Sequence, residues 1–109
     1  MSFRMPTHRA PTHPGVILLE EFLEPMGISQ KQLADGIMVP YQRINDIIRG
    51  RRGITPATAL RLVKFFDTTP ELWLNLQLRC DLYQSQRDEG PALKSIKPWQ
   101  AQEQPASAD

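Results

Sequence analysis

The stretch SQKQLADGIMVPYQRINDIIRGRRG, Ser29 to Gly53, carries two short helical patterns joined by a tight connection. The first opens on Ser29. Its hydroxyl can accept from the backbone N–H of Gln32 while the Gln32 side chain reaches back to Ser29, a capping box. Leu33, Ala34 and Ile37 form its apolar side. The second pattern begins at Pro40 or Tyr41 and ends near Arg49, with Gly50 placed to take a left-handed turn. Ile44, Ile47 and Ile48 point inward; Tyr41, Gln42, Arg43, Asn45 and Asp46 face away from them. Two helices joined by so short a turn, the second with a polar outer face, predict a helix-turn-helix. Arg43, Arg49, Arg51 and Arg52 crowd the second helix and its exit.

Working outward, Pro14 and Gly15 open a helix with Leu18, Leu19, Phe22 and Leu23 at helical spacing and Glu20, Glu21 and Glu24 between them. Pro25 disfavours helical geometry at Glu24, and Gly27 can cap the end. After Gly53, Thr55 caps a helix with Pro56 at its first position and Ala59, Leu62, Val63 and Phe66 in a stripe. Thr69 and Pro70 repeat that start. The pattern thus predicts an all-α, five-helix domain with helices at about 14–25, 29–37, 41–49, 55–67 and 70–86. Residues 1–13 read as an irregular arm, 14–90 as the packed domain, and 91–109 as a polar tail.

Charge is uneven along these 109 residues. The net charge of +1 divides into −1 over residues 1–40, +5 over 41–64 and −3 over 65–109. A basic middle between acidic flanks points to a local anionic partner. The single Cys80 excludes an internal disulfide framework and fits a reducing compartment. No apolar run approaches the ~20 residues of a membrane span. A cytoplasmic protein is therefore expected. Ser/His/Asp, Cys/His and paired-carboxylate arrangements lack a common pocket, so no enzyme, cofactor or metal is expected. His8 and His13 lie in the arm, where a bland role outweighs metal binding. Cys80 sits on an apolar helix face, and Arg61 and Lys64 read as plain surface residues.

A helix fits the major groove and reads base edges with its N-terminal residues. Gln can bond adenine in two places, Arg can do so with guanine, and Asp or Asn can accept from cytosine. Arginines beside such a helix would grip phosphates, supplying affinity where the polar face supplies choice of sequence. Asp46 has an alternative, pairing with Arg43 or Arg49 on its own helix. In the last helix, Leu72, Trp73, Leu76, Cys80 and Tyr83 form one apolar face, and Leu74, Leu78 and Leu82 another. Two apolar faces need two burial surfaces. The second predicts a dimer interface, unless the arm or the tail, with Ile96 or Trp99, covers it.

Ser29 to Gly50 resembles the DNA-binding core of the phage-repressor-like (XRE-type) helix-turn-helix family. The segments HPGVILLEEFLEPMGISQKQLADGI and RINDIIRGRRGITPATALRLVKFFDTTPELWLNLQ are similar to the HigA family of antitoxins, over residues 13–85. By position in that motif, Tyr41, Gln42, Asn45 and Asp46 would meet bases, and Arg43 a base or a phosphate. Gln30, Arg49, Arg51 and Arg52 would hold phosphates. The chain departs from the pattern at the turn, where Met38 stands in place of the usual glycine and Gly36 lies inside the helix, which predicts a slightly shifted turn. It departs again at Pro40, where a Ser or Thr usually caps. The resemblance implies a homodimer on palindromic operator DNA that represses its own operon. It also implies neutralisation of a RelE-like (HigB) toxin, an mRNA endonuclease; the acidic Glu20, Glu21 and Glu24 and the two tails are the candidate surfaces for it, since an acidic patch suits a basic, RNA-directed protein. The alternatives are a stand-alone regulator without a toxin, and a protein-interaction module that never binds DNA.

Overall fold

A computed structural model describes residues 10–100. Five helices follow in order, with no strand among the described residues. Helix α1 comprises Pro14–Ile17, a π-helical stretch Leu18–Leu23, and Glu24–Met26. Then come α2 (Gln30–Ile37), α3 (Tyr41–Ile48), α4 (Pro56–Phe66) and α5 (Pro70–Ser95). His8 and residues 101–109 lie outside the described residues.

The start of α1 explains the His-Pro-Gly run. His13 Nδ1 accepts the Gly15 N–H at 2.9 Å, Pro14 takes the first turn, and Gly15 passes against the end of α3. A Cβ on Gly15 would lie 2.8 Å from the Ile47 carbonyl carbon and 2.9 Å from the Ile48 Cα. Only glycine lets the two helices approach this closely. The helix does not stop at Pro25. It widens instead, with the Glu24 N–H bonding the Leu19 carbonyl five residues back, and ends at Gly27 in the left-handed conformation. The wide turn gives the Pro25 ring room that a carbonyl four residues back would deny it.

α2 begins with the expected capping box: Ser29 Oγ accepts the Gln32 N–H at 3.0 Å, and Gln32 Oε1 accepts the Ser29 N–H at 2.8 Å. The turn after α2 is not shifted. Met38 itself adopts the left-handed conformation, φ 60°, and closes the helix with Met38 N–H to Asp35 and Val39 N–H to Ala34. The glycine is needed elsewhere: a Cβ on Gly36 would run into the Phe65 ring. Arg61 is no plain surface residue, because its Nη1 donates to the Ile37 carbonyl at 2.7 Å. A cation is favourable at that helix end.

The core centres on Leu18, Leu33, Ile44, Ile47, Leu62 and Trp73, all fully buried. Trp73 and Phe66 pack around Phe22, with ring centroids 5.0 and 4.9 Å from it. Thr55 caps α4 through the Thr58 N–H, but Thr69 makes no side-chain cap on α5. The neighbouring Thr68 hydroxyl accepts the Trp73 Nε1–H at 2.9 Å instead.

α5 runs past the expected end at Gln86, through Gly90 and Pro91, to Ser95. Side-chain pairs one turn apart, Gln84 with Asp88 and Arg87 with Tyr83, support this extension. The 26-residue helix is about 39 Å long at ~1.5 Å per residue. Pro11 and Thr12 lie along it, where Cys80 Sγ faces the Thr12 carbonyl at 3.5 Å. Burial above all, and the adjacent Asp81 carboxylate, push the Cys80 thiol upward against the pull of Arg79.

Candidate nucleic-acid interface

α3 is amphipathic in the sense its sequence requires. Ile44 and Ile47 are fully buried and Ile48 half-buried, whereas Tyr41 and Gln42 are exposed. Arg43, Asn45 and Asp46 are half-buried along the sides. The polar ridge is therefore not packed inside the globule. Pro40 occupies the position before α3 and provides no side-chain cap.

The side chains of this ridge are interconnected. Asn45 Nδ2 donates to Gln30 Oε1 at 3.0 Å, which ties α3 to the first residue of α2 and leaves the Gln30 amide nitrogen to donate outward. Gln42 Nε2 donates to Asp46 Oδ1 at 2.8 Å. The same carboxylate oxygen lies 3.6 Å from Arg51 Nη1. Asp46 thus pairs with neither Arg43 nor Arg49, the two partners its helix offers, but with an arginine beyond the helix. Arg43 is set apart from the exposed residues: its Nε is buried without a hydrogen-bond partner among the described residues.

The exit from α3 explains how Arg51 comes back. Gly50 takes φ 78°, the Gly50 N–H bonds the Ile47 carbonyl, and the Arg51 N–H bonds the Asp46 carbonyl at 2.8 Å. This is a Schellman turn. The Arg52 N–H reaches the same Asp46 carbonyl at 3.2 Å. Arg49, Arg51 and Arg52 are all exposed.

Gln77, a residue the sequence did not single out, holds the far side of this loop. Its Oε1 accepts the Ile54 N–H at 2.8 Å, and a Cβ on Gly53 would collide with its amide. The RGRRGIT and PELWLNLQ segments are therefore two halves of one contact. The glycine before Ile54 and the glutamine at the end of the second segment were the available signals.

On α5, Leu74 and Leu82 are half-buried and Leu78 is 51% exposed. Pro11 and Thr12 lie by Cys80 and Leu76, on the other apolar face. Ile96 and Trp99 are 66% and 74% exposed. No helix among the described residues is long and apolar enough to cross a membrane, and no group of His, Cys, Asp and Glu among them could hold a metal ion.

A helix-turn-helix family model matches residues 19–73. The virulence-associated protein I of Dichelobacter nodosus is 49% identical over 77 residues, 71% of each chain. An addiction module antidote protein of the HigA family from Coxiella burnetii has a similar structure, with TM-score 0.76 and 42% identity over 84% of this chain and all of that one. The Pseudomonas aeruginosa antitoxin HigA, solved with the higBA promoter, gives TM-score 0.78 and 38% identity over 83% of this chain and 99% of that one. The Coxiella and Pseudomonas proteins are named as an antidote protein and an antitoxin. The chain is a helix-turn-helix protein of the HigA antitoxin family.

Proposed function

We propose that this chain binds palindromic operator DNA as a homodimer, represses its own operon and neutralises a RelE-like (HigB) mRNA endonuclease. The observation that carries it is the exposed Tyr41 and Gln42 edge of α3, framed by exposed Arg49, Arg51 and Arg52. A helix of this width fits the major groove, with its first residues at the base edges. Tyr41, Gln42, Asn45 and Asp46 lie along the reading side, Arg43 reaches a base or a phosphate, and Gln30 and the three exit arginines hold phosphates. The likeness to a HigA solved with promoter DNA supports the same reading.

The second copy docks on Leu74, Leu78 and Leu82. The exposure of Leu78 on a helix that already buries its other side supports this. Two-fold pairing sets two recognition helices about one DNA turn, ~34 Å, apart. For the toxin, the exposed Glu20, Glu21 and Glu24 of α1 suit a basic, RNA-directed protein.

Replacing Arg51 and Arg52 together with Ala tests the DNA reading. Affinity should fall on all duplex sequences, and the salt dependence should flatten by ~0.9 log units for each phosphate no longer neutralised. Unchanged affinity would favour a pure interaction module. Co-expression with the product of any small basic reading frame that adjoins this gene tests the antitoxin reading: growth arrest by that product alone, relieved by this chain, is expected. No arrest and no complex would leave a stand-alone regulator.

A further inference from the structure

We infer that Asp46 is a positioning residue that fixes which way the Gln42 amide faces, and thereby selects bases that present an amino group in the major groove. The inference rests on α3 being the reading helix. Gln42 Nε2 donates to Asp46 Oδ1 at 2.8 Å, and that oxygen lies 3.6 Å from Arg51 Nη1. A carboxylate facing a guanidinium carries acceptors only. The Gln42 amide therefore has one way to meet it, nitrogen toward Asp46 and carbonyl away. An unrestrained glutamine can present either end of its amide to a partner. This one would have to break a hydrogen bond and set its carbonyl oxygen against a carboxylate. Asp46 is the less accessible of the two, its side chain 22% exposed, so it stands behind the reading edge while Gln42 forms it.

The held amide offers a free carbonyl oxygen and a second N–H beside it. In the major groove adenine presents the N6 amino donor next to the N7 acceptor, which matches both groups. Cytosine presents the N4 amino donor and matches one. Guanine presents N7 and O6, and thymine presents O4, so both oppose the carbonyl with acceptors. The base facing Gln42 is therefore adenine first, which alone satisfies both groups, with guanine and thymine disfavoured because only the second N–H can meet them while the carbonyl faces an acceptor or nothing.

The test uses the full chain and duplexes selected from a pool of randomised DNA, with affinities then measured for all four bases at each position of the selected half-site. Wild type should favour adenine over guanine at one base pair by about tenfold or more, and Gln42→Ala should flatten that preference. Asp46→Asn can donate as well as accept and so tolerates either orientation of Gln42. It should narrow the ratio at that base pair by about threefold or more and leave the order elsewhere unchanged. Asp46→Ala, which frees the amide altogether, should narrow it likewise and serves if Asp46→Asn loses its helical circular dichroism. Arg51→Ala should lower affinity on every sequence and keep the ratio.

An unchanged ratio in both Asp46 variants, beside a flattened one in Gln42→Ala, would overturn the inference, as would a wild-type preference for guanine or thymine at that position. Gln42→Ala with no effect at any position would overturn it too, while the broader DNA-binding reading survives if Arg51→Ala still weakens binding. Failure of the wild type to select any duplex would overturn both.

Discussion

The Gln77 side chain of α5 accepts the backbone N–H of Ile54 at 2.8 Å, across a gap kept open by Gly53. Ile54 is buried, so this N–H has no water to turn to. Gln77→Met keeps the length of the side chain but removes the acceptor. It should cost about 1–3 kcal/mol, the penalty of an orphaned buried donor. Urea unfolding monitored by circular dichroism measures it, and stability equal to wild type would show that the loop holds itself.

His13 makes folding pH-dependent in a defined direction. Burial lowers its pKa in the folded protein, against the opposing pull of Asp81, and its Nδ1 must stay unprotonated to accept the Gly15 N–H. A group whose folded pKa is depressed binds protons more readily unfolded. Its contribution is therefore complete above the unfolded value of ~6.5 and is lost as pH falls through the folded value. Thermal unfolding should come earlier at pH 5 than at pH 7.5. His13→Asn, which caps without titrating, should remove most of that slope.

Met38 holds a left-handed conformation that glycine adopts without steric cost. Its side chain is 80% exposed, so little burial is forfeited on removing it. Met38→Gly should stabilise the fold by about 0.5–1 kcal/mol, the relief of left-handed strain less the added chain entropy. Thermal denaturation reads this directly, and a lower midpoint than wild type would show that the Met38 side chain contributes packing.

Leu78 tests the two-fold assembly. Leu78→Glu places a charge in the middle of the proposed seam, where burial without a partner is unfavourable. Sedimentation should show wild type as two copies and the variant as one, with the helical signal retained. A variant that still sediments as a pair would move the interface elsewhere.

The parts of this structure legible in the sequence are those set by short-range rules. The capping box at Ser29 and the glycine turn at Gly50 each depend on neighbours within four residues, and the first four helices fall within a residue of their expected bounds. The less legible parts depend on contacts between elements. Gly36 points to a shifted turn, yet it is small because the Phe65 ring lies against it, and Met38 makes the turn. Asp46 has two candidate partners on its own helix, but the turn at Gly50 brings a third, Arg51, within reach. The last helix, expected to end near Gln86, continues to Ser95 because side-chain pairs such as Gln84 with Asp88 carry it on.

The loop from Arg49 to Thr55 is fastened at both ends, by the Arg51 and Arg52 N–H groups on the Asp46 carbonyl and by Ile54 on Gln77. Its guanidinium groups thus project from a preassembled scaffold. A partner that engages them has only side-chain rotamers left to immobilise, since the main chain surrendered its freedom when the protein folded. Association through this loop should therefore need little ordering of the backbone, and a heat-capacity change set by the contact surface is expected.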